Sequence, residues 1–428
     1  MLQKTGSYLK TMLSVGKMFF CALILMGLSF SAWGAPVTLE YWHFYGAEVG
    51  REHENLVAEF NRLHPDIQVN VLYGGTAWTM RDRLFLALSG NQGPDVASID
   101  QFWISQLADS GHAVPLDELI KSSPSMQHDD VFPLYWNTAV YEDQIWSMPF
   151  SMSNLVLYYN RGLLEELSLG EEDLPRTWDQ LLEIGTAVAE REGGPKLAAI
   201  LDLPLLAAKG NMYPWVAFLW QNGGELFSPG FDQVEFQSPA GVETMSFWKE
   251  LQNKGLISAH TPEKAWESGK VLFQIASSAR MLTNYRHLDF SFGIAPLPRK
   301  DFRVTGVGGS NLALFAKEEQ KQAAAWTFIE WITSPETNLE WSLRTGYAPL
   351  RRSAYSSRAF QEAMDENPDL KAAFQEILYA RCRPNIPSYG DISRELGYAI
   401  EEVMLLGAKP EEALKKAAVI SNKILQGQ

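Results

Sequence analysis

Four acidic residues, Glu40, Glu48, Asp95 and Asp100, are the first candidates for chemistry in this chain. A pair of carboxylates flanking a bond is what a glycosidase uses, one as acid and the other as nucleophile or base. The same residue types on a solvated face do no chemistry, and most acidic side chains are exposed. Other catalytic patterns break off. Gly269-Lys270 runs into Val271 where a phosphate-binding loop has Ser or Thr. Gly308-Gly309-Ser310-Asn311-Leu312 lacks the second flanking glycine of a nucleophile elbow. His53-Glu54 has no second His four positions on, and the seven histidines show no metal-ligand spacing. The residues give no cofactor, no metal and no catalytic set beyond that open carboxylate pairing.

Binding chemistry is better represented. The chain holds 14 Trp, 15 Tyr and 22 Phe, enough to fill cores and still supply stacking faces. Aromatics beside Gly and Ser are the candidates for a cleft: Trp78 in Gly74-Gly75-Thr76-Ala77-Trp78 and Tyr347 in Thr345-Gly346-Tyr347-Ala348-Pro349. Three small polar clusters recur at expected strand ends or loops: Ser151-Met152-Ser153-Asn154, Ala276-Ser277-Ser278 and Gly306-Val307-Gly308-Gly309-Ser310. Hydroxyls and backbone N–H groups in such turns suit an anion or sugar oxygens.

The elements that must position these residues follow from periodicity. Strands are expected at Val37–Phe44, Ile67–Tyr73 and Val96–Ile99, with helices at about Glu48–Leu63 and Ala77–Ser89 between them. That alternation predicts a mostly parallel α/β sheet, with ligand at the carboxyl ends of its strands. His43, Phe44, Tyr73 to Trp78 and Asp100 to Trp103 then share a rim. The extended run Gln144–Asn160 breaks the rhythm and reads as a crossover. A second α/β region follows to about Pro298, with a helix from Ser238-Pro239 to Gly255 and strands at Val271–Ala276 and Phe290–Ala295. Val304–Phe315 is a further crossing segment, and the remainder is mostly helical, broken at Pro335, Gly346–Pro349 and Arg383–Gly390.

At the N-terminus, Lys4, Lys10 and Lys17 precede an uncharged run, Met18 to Phe30, and small residues at Ala32 and Gly34. This is the layout of a secretory signal, with cleavage after Gly34 or Ala35; an uncleaved anchor is the alternative. Cys21 lies inside the apolar run, without the small residues that precede a lipidated cysteine. The remaining length suggests about two domains, and a 46% hydrophobic composition excludes a disordered chain. A net charge of −15 argues against nucleic acid or an anionic membrane as partner. Cys382 alone follows the signal, so no internal disulfide forms.

Val37-Thr38-Leu39-Glu40-Tyr41-Trp42-His43, Phe60-Asn61, His64-Pro65-Asp66, Gly93-Pro94-Asp95-Val96, Pro149-Phe150-Ser151, Leu157-Tyr158-Tyr159-Asn160, Trp331-Ile332-Thr333-Ser334-Pro335-Glu336 and Thr345-Gly346-Tyr347 form an ordered series. In it the chain resembles the family 1 extracellular solute-binding proteins, the sugar-type receptors of ABC importers. The resemblance implies an α/β fold of the periplasmic-binding-protein-like type II, with two discontinuous lobes, a hinge and an interlobe ligand cleft. It implies a signal at 1–34, an N-terminal lobe at 35–150 and 304–350, and a C-terminal lobe at 151–303 and 351–428.

The likeness is greatest to those members that bind glycerol 3-phosphate. Their ligand residues fall on Ser153, Ser277, Gly309, Tyr347 and Arg394. Two positions depart: a tyrosine is replaced by Ala77, with Trp78 adjacent, and a glutamate that meets glycerol hydroxyls falls on Gln101. Arg394 would supply a forked cation, and Ser153, Ser277, Tyr347 and the Gly309 amide neutral donors; a surface pair with Asp391 or Glu395 is the other reading of Arg394. The resemblance implies a monomeric, non-enzymatic periplasmic receptor with no cofactor, which hands glycerol 3-phosphate or a glycerophosphodiester to an inner-membrane ABC permease and its ATPase subunits. A neutral sugar, oligosaccharide or polyol is the alternative, using Trp42, Trp78, Trp103 and Trp215 as stacking faces. A secreted carbohydrate-active enzyme is the rival from another class.

Overall fold

The computed structural model describes residues 35–427. The export segment expected at 1–34 lies outside them. Among the described residues eleven strands are formed: β1 Val37–His43, β2 Ile67–Tyr73, β3 Val96–Asp100, β4 Val140–Tyr141, β5 Gln144–Ile145, β6 Met148–Asn160, β7 Ala199–Asp202, β8 Val271–Ser277, β9 Phe292–Ala295, β10 Thr305–Leu314 and β11 Ala380–Arg381. One sheet carries the order β2-β1-β3-β10-β6-β8-β7, with β9 beside β6 and β11 beside β10; β4 and β5 make a separate hairpin.

The sheet is mixed rather than mostly parallel. β1 is parallel to β2 and β3, and β7 to β8. β10 is antiparallel to β3 and β6, and β6 is antiparallel to β8 and β9. The reason lies in β6 and β10, the two extended runs that cross between the halves of the sheet. Their sheet neighbours are distant in sequence, so no single strand-helix-strand unit sets their direction.

β6 shows how sequence builds this centre. All 13 of its residues are buried. Leu155, Leu157 and Tyr159 enter the core on one face, and Phe150, Met152, Val156 and Tyr158 the core on the other. Side chains alternate across a strand, so a strand covered on both sides is apolar at both parities. Each such large side chain contributes about 1.5–3 kcal/mol by leaving water.

Helices cover both faces. Pro239–Asn253 starts where Ser238 accepts from the Gly241 amide at 3.4 Å, with Pro at the first position. Pro335–Thr345 is capped in the same way by Ser334 and stops at Gly346, whose φ of +85° is left-handed. Two helices, Tyr389–Leu406 and Pro410–Leu425, close the chain. No helix among the described residues is long and apolar enough to cross a membrane.

Candidate functional site

The strand ends converge on a cavity of about 880 Å³. From one half come Phe44 after β1, Trp78 in the first turn of the helix Ala77–Ser89, and Asp100 at the end of β3. Thr76 caps that helix, accepting from the Thr79 amide at 3.4 Å, which fixes Trp78 at the rim. From the other half come Ser277, ending β8, and Arg394 on the helix Tyr389–Leu406. The Ser277 hydroxyl accepts from the Ala279 amide at 3.2 Å. Tyr347 enters just past Gly346; a Cβ on Gly346 would meet the Ser278 carbonyl at 2.7 Å, so glycine is needed for that approach.

The floor is made by β6 and β10. Ser153 pairs with Gly308, and Gly309 with Met152, just before the register shifts between Ser310 and Asn311. Gly309 has φ +111°, and a Cβ there would lie 1.7 Å from the Ser151 carbonyl oxygen. The Ser151–Asn154 and Gly306–Ser310 clusters are therefore strand interior, not the ends or loops that composition suggested. An irregular strand bares its backbone toward the cavity much as a turn would, which is why composition alone did not tell them apart.

Ser153, Ser277, Gly309, Tyr347, Arg394 and Trp78 all line the cavity. Gln101 does not. It opens a single 3₁₀ turn, is 3% exposed, and its amide atoms have no hydrogen-bond partner among the described residues. Of the tryptophans considered as stacking faces, Trp78 and Trp103 line the cavity, whereas Trp42 does not and Trp215 is packed in the core. The Arg394 guanidinium sits 3.6 Å from Asp391 and faces the Trp78 ring at 5.7 Å.

Several lining residues were not singled out from sequence: Arg383, Tyr213, Lys209, Asp82 and Glu401. Arg383 is the most constrained. Its guanidinium pairs with Asp100 at 3.2 Å and lies between the rings of Phe102, at 4.9 Å, and Tyr213, at 5.0 Å. Burial opposes its charge most strongly, but Asp100 together with Tyr389, Tyr213 and Cys382 outweighs that and holds it protonated. Burial pushes the Asp100 carboxyl up, against the pull of Arg383. Tyr213 donates from its hydroxyl to the Gly306 carbonyl at 2.8 Å. The one sequence signal for Arg383 was an arginine in an irregular, proline-bearing stretch between helices. Burial also pushes the Cys382 thiol up to about 12, which leaves it un-ionised and inert.

Residues 47–339 match the family of bacterial extracellular solute-binding proteins. The chain belongs to that family. As a solute-binding protein it is 24% identical over 418 residues to the sn-glycerol-3-phosphate-binding periplasmic protein UgpB of Escherichia coli K12, covering 92% of this chain and 93% of that one. In structure this solute-binding protein is similar to UgpB from Mycobacterium tuberculosis in complex with glycerophosphocholine, with a TM-score of 0.81 and 22% identity over 92% of this chain and 99% of the other. It is also similar to the cyclic α-maltosyl-1,6-maltose binding protein of Arthrobacter globiformis, with a TM-score of 0.79 and 25% identity over 92% and 100% of the two chains. Its fold is the type II periplasmic binding fold of two α/β lobes, as the sequence resemblance implied. Solute-binding proteins of this family deliver small molecules to ABC permeases.

Proposed function

We propose that the protein is an exported, periplasmic receptor that captures a glycerophosphodiester or glycerol 3-phosphate between two lobes, dividing near residues 150, 303 and 350, and passes it to an inner-membrane ABC permease. The observation that carries this reading is the convergence of Arg394, Ser153, Ser277, Tyr347 and the Gly309 backbone on one cavity. A forked cation with neutral donors around it suits a phosphate better than a neutral ring. Size favours the diester, because about 880 Å³ suits a ligand larger than a three-carbon phosphate. The cavity wall also carries acids, Asp82, Asp100 and Glu401, beside Lys209, Arg383 and Arg394. That balance suits a ligand whose phosphate is offset by a polar or cationic head group.

A second reading, an oligosaccharide, draws on the aromatic wall of Phe44, Trp78, Phe102 and Trp103. Calorimetric titration of the mature protein with glycerophosphocholine, glycerol 3-phosphate and maltose separates the two. Heat from maltose and none from either phosphate ester would overturn the phosphate reading. Turnover of any glycoside would overturn the receptor reading.

A further inference from the structure

We propose that Tyr45 is a positioning residue for the ligand site: its buried hydroxyl ties β3, β6 and β10 together under the cavity floor and so holds Gly309, Ser153 and Tyr347 where they meet a ligand. The inference rests on the reading of the cavity as the ligand site but not on the choice between phosphate ester and sugar.

Tyr45 lies between β1 and the helix Ala47–Leu63. Phe44, one residue earlier, lines the cavity; Tyr45 turns the other way and is 4% exposed. Its amide donates to His43 Nδ1 at 3.2 Å, which fixes where it enters the core. Its hydroxyl accepts from Ser98 Oγ at 2.9 Å and is hydrogen-bonded to Ser151 Oγ at 3.0 Å and Ser310 Oγ at 2.6 Å. Ser98 is on β3, Ser310 on β10 and Ser151 on β6, three adjacent strands. All three serines are fully buried. Burial pushes the Tyr45 phenol up, so it keeps its one proton to give and accepts the rest. Apolar side chains would fill this space without the cost of burying hydroxyls. What a satisfied hydroxyl knot adds is one fixed geometry.

The knot sits where the sheet is least regular. The β6–β10 pairing shifts register between Ser310 and Asn311. An interrupted ladder pins its strands less firmly, so side chains must do more of the holding. On β6, the knot clamps Ser151. Met152 pairs with Gly309, and its carbonyl accepts from the Ala348 amide at 2.6 Å, next to Tyr347. Ser153 follows and lines the cavity. The Ser151 hydroxyl also accepts from Trp341 Nε1 at 3.1 Å, and the Trp341 ring stacks on Tyr347 at 5.6 Å with 12° between planes. Gly309, Ser153 and Tyr347 therefore all hang from the short segment that Tyr45 clamps, although Tyr45 itself is not on the cavity wall.

The test uses the full mature protein, with glycerophosphocholine, sn-glycerol 3-phosphate and maltose as calorimetric probes; the probe that wild type binds most tightly is carried through the variants. Tyr45→Phe leaves the Ser98 and Ser310 hydroxyls without their partner, so it should melt at a lower temperature and bind about tenfold more weakly. Adding Ser98→Ala and Ser310→Ala to Tyr45→Phe removes those orphaned hydroxyls and should recover most of the stability, because losing both partners of a buried hydrogen bond is nearly neutral. This triple variant should still bind about tenfold more weakly, because the strands stay untied. A residue that only stabilised the fold would regain affinity along with stability. A double-mutant cycle with Tyr347→Phe gives a second readout: the two losses should fall short of adding by about threefold or more, since Tyr45 acts through Tyr347. Wild-type affinity in Tyr45→Phe or in the triple variant overturns the inference. Losses that add in full overturn the link to Tyr347. Wild type that binds none of the three probes overturns the functional reading, and this inference with it.

Discussion

The Arg394 guanidinium faces the ring of Trp78 at 5.7 Å, across the mouth of the cavity and from the opposite half of the sheet. Arg394 comes from the helix Tyr389–Leu406 and Trp78 from the helix Ala77–Ser89. A cation over an aromatic face gives about 0.5–1 kcal/mol when exposed. The contact therefore ties the two halves weakly, and a ligand that engages both residues would add to it.

Arg394→Ala tests the anion site. Among the described residues it breaks one ion pair, with Asp391, where both side chains are about half exposed, so stability should change little. A charge-assisted hydrogen bond is worth about 1.5–3 kcal/mol. Affinity for glycerol 3-phosphate or glycerophosphocholine should fall about 10- to 100-fold by calorimetry, with maltose unaffected. Unchanged phosphate-ester affinity would remove Arg394 from the site.

Gly309→Ala tests the floor. The added methyl would meet the Ser151 carbonyl at 1.7 Å in a backbone conformation that favours glycine. Left-handed strain costs about 1–3 kcal/mol and overpacking a similar amount. A loss of about 2–5 kcal/mol by urea denaturation is expected. A variant as stable as wild type would mean that β10 is not held in this register.

Acid sensitivity should come from two buried histidines. His43 accepts from the Tyr45 amide at 3.2 Å, and neither ring nitrogen of His53 has a hydrogen-bond partner among the described residues. Burial holds His43 down at about 4, and burial with His43 alongside holds His53 well below its usual range. The unfolded chain therefore takes up protons first as pH falls. Stability should be level above about pH 6.5 and decline toward pH 4, by up to about 1.4 kcal/mol per pH unit for each histidine. His53→Phe should show a shallower decline than wild type in urea melts across that range. An identical slope would exclude His53 as a cause.

Glu48 anchors a charge cluster next to the cavity's own elements. It is 4% exposed and meets Arg286 at 2.5 Å and His287 at 2.9 Å, while Arg286 also reaches Glu52. Arg286 and His287 lie on the helix Met281–His287 after β8, and Glu48 on the helix Ala47–Leu63 after β1, so the cluster joins the two halves of the sheet. Arg286 and His287 are about half exposed, so solvent screening limits the gain. Glu48→Gln should cost about 1–2 kcal/mol, read by denaturant titration at low salt, with the difference shrinking at 1 M salt. A loss that does not depend on salt would point to packing rather than charge.

Much of the fold was legible because it rests on local rules. Ile67–Tyr73 and Ala77–Ser89 form where alternation and helical period place them, and Ser238-Pro239 starts its helix where a cap and an N1 proline should. The two crossing runs were visible as extended segments, but their direction was not. Nothing within β6 or β10 says which neighbour each will pair with, because strand direction is set by partners far away in sequence.

The sequence by itself determined which residue types were at hand: a late arginine, serines in extended runs, glycines at Gly308 and Gly309, and aromatics beside small residues. Only the tertiary structure decided which of them meet. Trp215 and Trp78 are alike as letters, yet one fills a core and the other lines the cavity. Gln101 and Asp100 are neighbours in the chain, yet only Asp100 reaches the wall. Arg383 and Asp100 are 283 residues apart and form one ion pair. Burial and pairing depend on the three-dimensional surroundings of a side chain, and a one-residue change of direction at the end of a strand exchanges wall for core.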